Sequence, residues 1–267
     1  MTIVQIDHGP ARGELDARGS KASTRWCTSP GENVGGGRWT KARKQRIPQS
    51  RLDGTKLIAE TLARLAKPPA VLLSASAIGI YGLHDDQPLD ESSPAGNDFL
   101  AEVCRRWEAA AEAAVQRGIR VVHPRFGVIL SPSGGALGKL LPPMKAGVGG
   151  RIGAGKQIMS WVSLDDAIYA LHHALFDTSL AGPVNVVAPN AVSNGEFTHL
   201  LGEALHRPTM FPLPAPIVKL LFGEMGETVL LGGARVLPVR LSTARFSFQH
   251  PTLPLALAHL LGRRVGR

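Results

Sequence analysis

The chain is poor in cysteine, in aromatic residues and in acid. Cys27 and Cys104 are its two cysteines in 267 residues, and their spacing matches no metal or redox motif. A disulfide scaffold and a Cys-x-x-Cys site are thereby excluded, and free thiols in a reducing, cytoplasmic setting are expected. No His-Glu-x-x-His occurs among the nine histidines, so no metal centre is expected. No window approaches the ~18 uninterrupted apolar residues of a membrane span. A signal peptide is not expected either, because His8, Arg12, Glu14 and Asp16 stand where its apolar region would lie. The Gly-x-Ser-x-Gly elbow of the α/β hydrolases is missing too.

The shortage of acid leaves 21 Asp and Glu against 30 Lys and Arg, a formal charge of +9. Arg38, Lys41, Arg43, Lys44, Arg46 and Arg51 follow one another with no acid between them. Such a run fits a nucleic-acid footprint, a solvated helix face, or a basic rim that attracts a phosphorylated ligand. Trp39 is the one aromatic among these charges, so bases would find little to stack on, which weighs against nucleic acid.

Apolar residues make up 44% of the chain, enough for a sizeable core. Residues 1–30 read unlike the rest: beyond a strand-like 2–6 they show no periodicity, and they are expected to be poorly ordered. From Gly31 the pattern is regular. A helix is expected over 38–51, kinked or broken by Pro48 at a cost of about 3 kcal/mol. Leu57, Ile58, Thr61, Leu62 and Leu65 then mark a helical stripe, and 70–74 is a short apolar run of the kind found in buried parallel strands. One long amphipathic helix should run from Asp98, a good N-cap, to Gly118, a good stop. A strand from Arg120, a Gly/Pro-rich loop, a helix over 164–176 and a strand over 184–187 follow. Strand and helix alternate, so the class is α/β with a mainly parallel sheet. After about 190 helices take over, at 193–205, 214–222 and 254–261, with 245–248 as a short strand. The stripe Ile217, Leu220, Leu221 and the loop at Pro238 should be buried against the carboxyl end of the sheet. This divides the chain into 1–30, an α/β part over 31–190 and a mostly helical part over 191–267.

Three segments carry the strongest signal: Ser74-Ala75-Ser76-Ala77-Ile78-Gly79-Ile80-Tyr81-Gly82, then Arg125-Phe126-Gly127-Val128-Ile129-Leu130, then Ser160-Trp161-Val162-Ser163-Leu164-Asp165-Asp166. In that order, and with Gly134-Gly135-Ala136-Leu137 and Arg235-Val236-Leu237-Pro238, the chain resembles an atypical extended short-chain dehydrogenase/reductase of the "epimerase family", with a DUF1731-type C-terminal region. The resemblance implies a Rossmann-like parallel sheet, an NAD(P) cofactor with NADP slightly preferred, and a hydride moved at a sugar-like or other small carbon centre. It places Ser76 and Tyr81 at the catalytic hydroxyl positions, although an ungapped comparison sets Ala77 at the serine and Ser76 only with a register shift of one. Gly31, Ser74, Arg125, Phe126, Gly127 and Val128 would line the cofactor, and Lys156 and Trp161 the substrate. Strand-end capping is the alternative for Ser74 and Ser76, and packing for Tyr81. The Tyr-x-x-x-Lys pair of the reductases is replaced: with Glu108 matching the acid that often follows, Leu100 and Cys104 occupy its positions, and neither transfers a proton as the reductases require. Asp165 and Asp166 are expected to cap the helix that follows them.

Gly150-Arg151-Ile152-Gly153-Ala154-Gly155-Lys156-Gln157 nearly spells a P-loop, but Gln157 stands where Mg²⁺ needs a hydroxyl, and no buried strand precedes it. The resemblance makes it a glycine-rich loop over the substrate. Absent altogether is the Gly-x-x-Gly-x-x-Gly turn that would hold the pyrophosphate. Gly35-Gly36-Gly37 is followed by Arg38-Trp39-Thr40 and is not that turn, and Cys27-Thr28-Ser29-Pro30 stands where the family has a strand. The expectation is therefore a family resemblance over 31–267 with the first strands of the sheet missing, as a shifted frame or start would leave it. NAD(P) binding should then be weakened by an order of magnitude or more. A second reading stays open: an inactive relic or binding module whose basic face over 38–51 takes RNA or another anionic partner.

Overall fold

A computed structural model describes residues 25–28, 31–84 and 86–262. The strand expected at 2–6 and the disorder expected over most of 1–30 lie outside these residues. Strand β1 (Arg25–Thr28) leads through a turn-rich segment to helix α1 (Lys41–Arg64). Then come β2 (Val71–Ser74), β3 (Ser76–Ala77), a 3-10 turn over Ile78–Tyr81 and β4 (Pro88–Leu89). Helices α2 (Phe99–Ala109) and α3 (Glu112–Gln116) precede β5 (Arg120–Phe126) and β6 (Val128–Leu130). After α4 (Gly135–Lys145) the chain forms β7 (Ile158–Met159), β8 (Trp161–Ser163), α5 (Leu164–Phe176) and β9 (Gly182–Val186). The last part holds β10 (Val192–Ser193), α6 (Asn194–Leu205), α7 (Ala215–Phe222), a π-helical turn over Gly226–Leu230, β11 (Arg235–Val236), α8 (Val239–Thr243) and α9 (Leu253–Leu260).

The main sheet is parallel: β1 pairs β2, β2 pairs β5, and β5 carries both β3 and β9. One face packs α1 and α3 through Leu72, Val121, Ile58, Leu62 and Ala114. The other packs α5 through Leu73, Val122, Val184, Ala167 and Ala170. With both faces covered, β2 is apolar and fully buried through 71–73. This is the expected Rossmann-like α/β class. One correction concerns its edge. No strand was expected at 25–30, where Cys27-Thr28-Ser29-Pro30 stood in place of the family's strand, yet Arg25–Thr28 pairs in register with Val71–Ser74. Cys27 and Thr28 break no pattern there, because β1 needs only one apolar face to sit on α5.

Other departures have local causes. Pro48 does not break α1, which runs through it for 24 residues. Proline removes one N–H, while Ile47, Thr55, Ile58, Ala59 and Leu62 bury the helix on both sides of it. The helix capped by Asp98 stops at Ala109 and restarts as α3. The Gly/Pro-rich loop contains α4, whose Pro142 and Pro143 are tolerated because Leu137, Leu141 and Met144 anchor it in the core. Residues 245–248 are not a strand: Arg245 has φ 58°, and Phe246 and Phe248 stack edge-on over the α5 face. On α7 Val218 is buried, whereas Ile217, Leu220 and Leu221 are exposed; Pro238 is buried as expected.

The C-terminal part is tied to the sheet by Asp166, which is fully buried at the start of α5. Its carboxylate accepts from Gln249 N at 2.7 Å, His250 N at 3.0 Å and Ser163 Oγ at 3.0 Å. Asp166→Ala leaves three donors unanswered, each bond to a charged group being worth about 1.5–3 kcal/mol. We expect at least ~3 kcal/mol of lost stability in urea and faster amide exchange over 246–262. Unchanged exchange there would show that the clasp is not what holds the segment.

Candidate functional site at the carboxyl end of the sheet

In-register pairing of three strands lines up a polar row. Ser76 on β3 lies opposite Arg125 on β5, and Arg125 lies opposite Asn185 on β9. Partners on neighbouring strands point to the same face, so the three side chains meet. Glu108, from the last turn of α2, sits above them. Its Oε1 accepts from Ser76 Oγ at 2.7 Å and from Arg125 Nε at 2.8 Å, and its Oε2 accepts from Arg125 Nη2 at 2.9 Å. Arg125 Nη1 donates to the Tyr81 hydroxyl at 3.0 Å, which donates onward to Asn185 Oδ1 at 2.7 Å. Asn185 Nδ2 reaches Leu237 O, and the backbone amides of Asn185 and Arg240 share Glu91 Oε1. A fork-on-carboxylate pair of this kind combines strength with fixed orientation.

Burial works against the Arg125 charge, but Glu108 and Tyr81 more than offset it, and its pKa rises above the ordinary arginine value. Burial also raises the Tyr81 phenol, which stays protonated. Cys104, at the position where the reductases carry lysine, is pushed up to about 12 by burial and then by the nearby Glu108 carboxylate. A thiol so held accepts no proton near neutrality. His123, two residues before Arg125, is shifted down by burial and stays neutral; its Nδ1 and the Ser74 hydroxyl are buried without a hydrogen-bond partner among the described residues.

The structure thus brings Ser76, Tyr81 and Arg125 together, but below the surface: Tyr81 and Ser74 are wholly buried and Ser76 is 2% exposed. Above them the strand ends are half-exposed and apolar, with Ala77 paired to Phe126, Val128 beside them and Gly79 against Leu100 of α2. Gly127 is explained by packing, since a Cβ there would lie 2.5 Å from Ser160 O and 2.7 Å from Val187 Cγ1. Gly31 lies under the Arg51 guanidinium, 2.7 Å from where its Cβ would be. Trp161, expected on the substrate, is instead fully buried in the core and donates to Asn190 O at 3.0 Å. Lys156 is exposed on the rim of a separate cleft of about 780 Å³. Glu108 was matched by position alone, and Asn185 was placed only within the strand expected over 184–187. Their pairing with Arg125 comes from strand register, which one sequence does not display. Ser163, Asp166 and His250 also meet, His250 Nδ1 lying 3.2 Å from Ser163 Oγ. The Ser163 hydroxyl is buried and accepts from Asp166 N, so it caps α5 and is no nucleophile.

The basic segment is largely occupied from within. Glu32 takes Arg46 at 2.9 Å and Arg43 at 3.6 Å; Lys44 binds Glu224 at 2.7 Å. Arg38 donates to Leu220 O, and Arg51 to Ile47 O and Glu32 O. What read as an open cationic stripe is mostly a set of braces between α1, the 31–37 turn and α7. Among the described residues no helix is long and apolar enough to cross a membrane, and no cluster of ligating side chains could hold a metal.

The geometry agrees with the comparisons. Residues 213–260 match the model of DUF1731, a domain of unknown function. The chain is 39% identical over 259 residues to Epimerase family protein Mb2239 of Mycobacterium bovis, covering 97% of this chain and 85% of that one. It belongs to the epimerase family. The human member SDR39U1, crystallised with NADPH, superposes with a TM-score of 0.85 at 31% identity over 90% of this chain and 82% of that one. A nucleoside-diphosphate sugar epimerase from Corynebacterium glutamicum matches with a TM-score of 0.73 and 32% identity, over 91% of this chain and 47% of that one. Alignment over 97% of the chain also reaches well into residues 1–30, further than the motifs alone had suggested.

Two outcomes test this site. Glu108→Gln strands a buried guanidinium and should cost about 3–5 kcal/mol in urea unfolding, toward the low end because the pair is not wholly dry; a change under ~1 kcal/mol would rule out the row as a structural lock. For His123 the native pKa is depressed below the ordinary 6.5. As pH falls through 6.5 the unfolded chain takes the proton and the native ring resists, so stability declines toward acid. His123→Gln should flatten that decline between pH 6.5 and the lower native value, and an unchanged slope would assign it to other groups.

Proposed function

We propose that this protein is an NAD(P)-dependent epimerase- or reductase-like enzyme acting on a small, sugar-like substrate. The observation that carries the reading is the half-exposed apolar surface at 77–79 and 126–128, seated on a polar row that cannot move. A flat nicotinamide ring fits such a surface, and the family member crystallised with NADPH supports it. The cofactor, when bound, supplies the hydride donor or acceptor. The chain's own residues hold and orient it: Phe126 and Val128 offer apolar contact, and Arg125, braced by Glu108, Ser76 and Tyr81, fixes the loop that carries them. Ser76 and Tyr81 act in this reading as positioning residues, since both hydroxyls are spent inside the row. Leu100 and the protonated Cys104 move no proton, so proton transfer at the substrate falls to groups outside the Tyr-x-x-x-Lys positions. The described residues offer no glycine-rich turn for the pyrophosphate, whose helix-end amides give much of the affinity elsewhere, and the basic side chains near 38–51 are braced against Glu32 and Glu224.

A fluorescence titration with NADPH should show saturable binding, an order of magnitude or more weaker than that of the human family member and tighter than with NADH. Ala77→Asp, which puts a charge in the nicotinamide seat, should weaken it a further tenfold. No saturation at millimolar NADPH, or indifference to Ala77→Asp, would overturn the assignment of the seat.

A further inference from the structure

Helix α7 turns its apolar side outward. Val218 is its buried residue, while Ile217, Leu220 and Leu221 are exposed, Leu220 to 73%. The segment leading into the helix is alike, with Met210 76% and Phe211 58% exposed, and Val148 on the neighbouring loop is 58% exposed. A single exposed apolar side chain needs no explanation, but a run of large ones does.

The backbone ties these segments together. Met210 pairs with Gly150 and Leu213 with Ile152 in β-bridges, and Leu213 N donates to Arg151 O at 2.9 Å. Arg207 Nε donates to Lys145 O at 2.8 Å, which joins the far end of the segment to the end of α4. Pro214 is the N-cap of α7, so 210–213 run directly into the helix. Pro208, Pro212 and Pro216 stiffen the same stretch. Apolar tips carried on a backbone already fixed lose little freedom when they are covered.

Charge decides what covers them. Residues 113–164 and 204–223 contain no Asp or Glu. Lys145, Arg151 and Arg207 are exposed within these stretches and make no ion pair among the described residues. The nearest acids in the sequence are engaged: Glu224 holds Lys44 at 2.7 Å, Glu227 holds Lys219 at 2.8 Å, and Glu203 lies 3.3 Å from His199. A second copy of this chain would bring the same unpaired cations, on a molecule of formal charge +9, so self-pairing is opposed. Ile168 and Tyr169 are also exposed, but they lie on α5 with Asp165 in its first turn and Asp177 at its end, and the charge argument does not extend to them.

We propose that this surface seats the protein on a membrane with anionic lipid headgroups. The apolar tips of α7 and of 210–211 enter the acyl boundary, and Lys145, Arg151 and Arg207 meet the headgroups. A helix of eight residues is too short to span a bilayer and lies in its plane. Basic side chains beside an anionic surface add an attraction that salt screens. The proposal is independent of the cofactor reading.

The test is flotation of the full chain with vesicles of phosphatidylglycerol mixed with phosphatidylcholine, against vesicles of phosphatidylcholine alone. The parent should bind the mixed vesicles at least tenfold more tightly, and the preference should shrink as salt rises. Leu220→Ser with Leu221→Ser should weaken binding to the mixed vesicles tenfold or more, and Lys145→Gln with Arg151→Gln several-fold. Ile168→Ser, as exposed but on α5, should leave binding unchanged. Phe211→Trp should add emission that shifts to the blue when the mixed vesicles are present. All these positions are exposed, and the variants should unfold in urea with the parent. Failure to float, equal binding to both vesicles, or parent-like binding of the Leu220→Ser, Leu221→Ser chain would overturn the proposal. A dimer in solution that this double variant converts to monomer would also overturn it, by assigning the surface to a second copy.

Discussion

The bidentate contact between Arg125 and Glu108 is the constraint on which the carboxyl end of this fold depends. An arginine in the middle of a parallel sheet is costly to desolvate, and only a carboxylate placed by a separate helix makes it tolerable. That placement sets the distance of α2 from β5, and α2 in turn carries Leu100 and Cys104 over the strand ends. The same guanidinium reaches Tyr81, and through it Asn185 and the backbone at Leu237. Because each hydroxyl and amide in the row has its acceptor, no member can rotate without leaving another unpaired. Rigidity beneath an apolar seat lets such a seat bind a flat ring without first ordering itself.

Much of the architecture was legible in the chain because local rules and burial agreed. The cap at Asp98 follows from N-cap chemistry beside apolar periodicity, whereas α5 is capped by Ser163 and not by the expected Asp165 and Asp166. Errors arose where tertiary burial outweighed a strong local signal. Pro48 and the pair Pro142, Pro143 read as breakers, yet each sits in a helix whose flanks are buried. Ile217, Leu220 and Leu221 formed a plausible inward stripe, but Val218 takes the inner position, and periodicity alone does not say which side of a helix faces the core.

The site was legible by composition and illegible by depth. Ser76, Tyr81 and Arg125 stood out in separate motifs, and the structure brings them together. That they satisfy one another, and do not face a ligand, depends on strand register and on Glu108 arriving from another element. The basic run 38–51 shows the same gap. It contains no acid, and the acids that answer it, Glu32 and Glu224, lie before the helix and some 180 residues beyond it.

The weave around Asp166 has an evolutionary corollary. The DUF1731 match spans 213–260, as though that stretch were a unit of its own. Yet β11 pairs β4, Ser160 bridges Ala234 and Val236, Arg240 holds the carbonyl of Pro183, and Asp166 clasps 249–250. A recombination breakpoint placed at the border of the sequence family would sever donors from acceptors on both sides. The border of the sequence family is therefore not a border of the folded unit, and cutting there would leave each of these contacts without one partner.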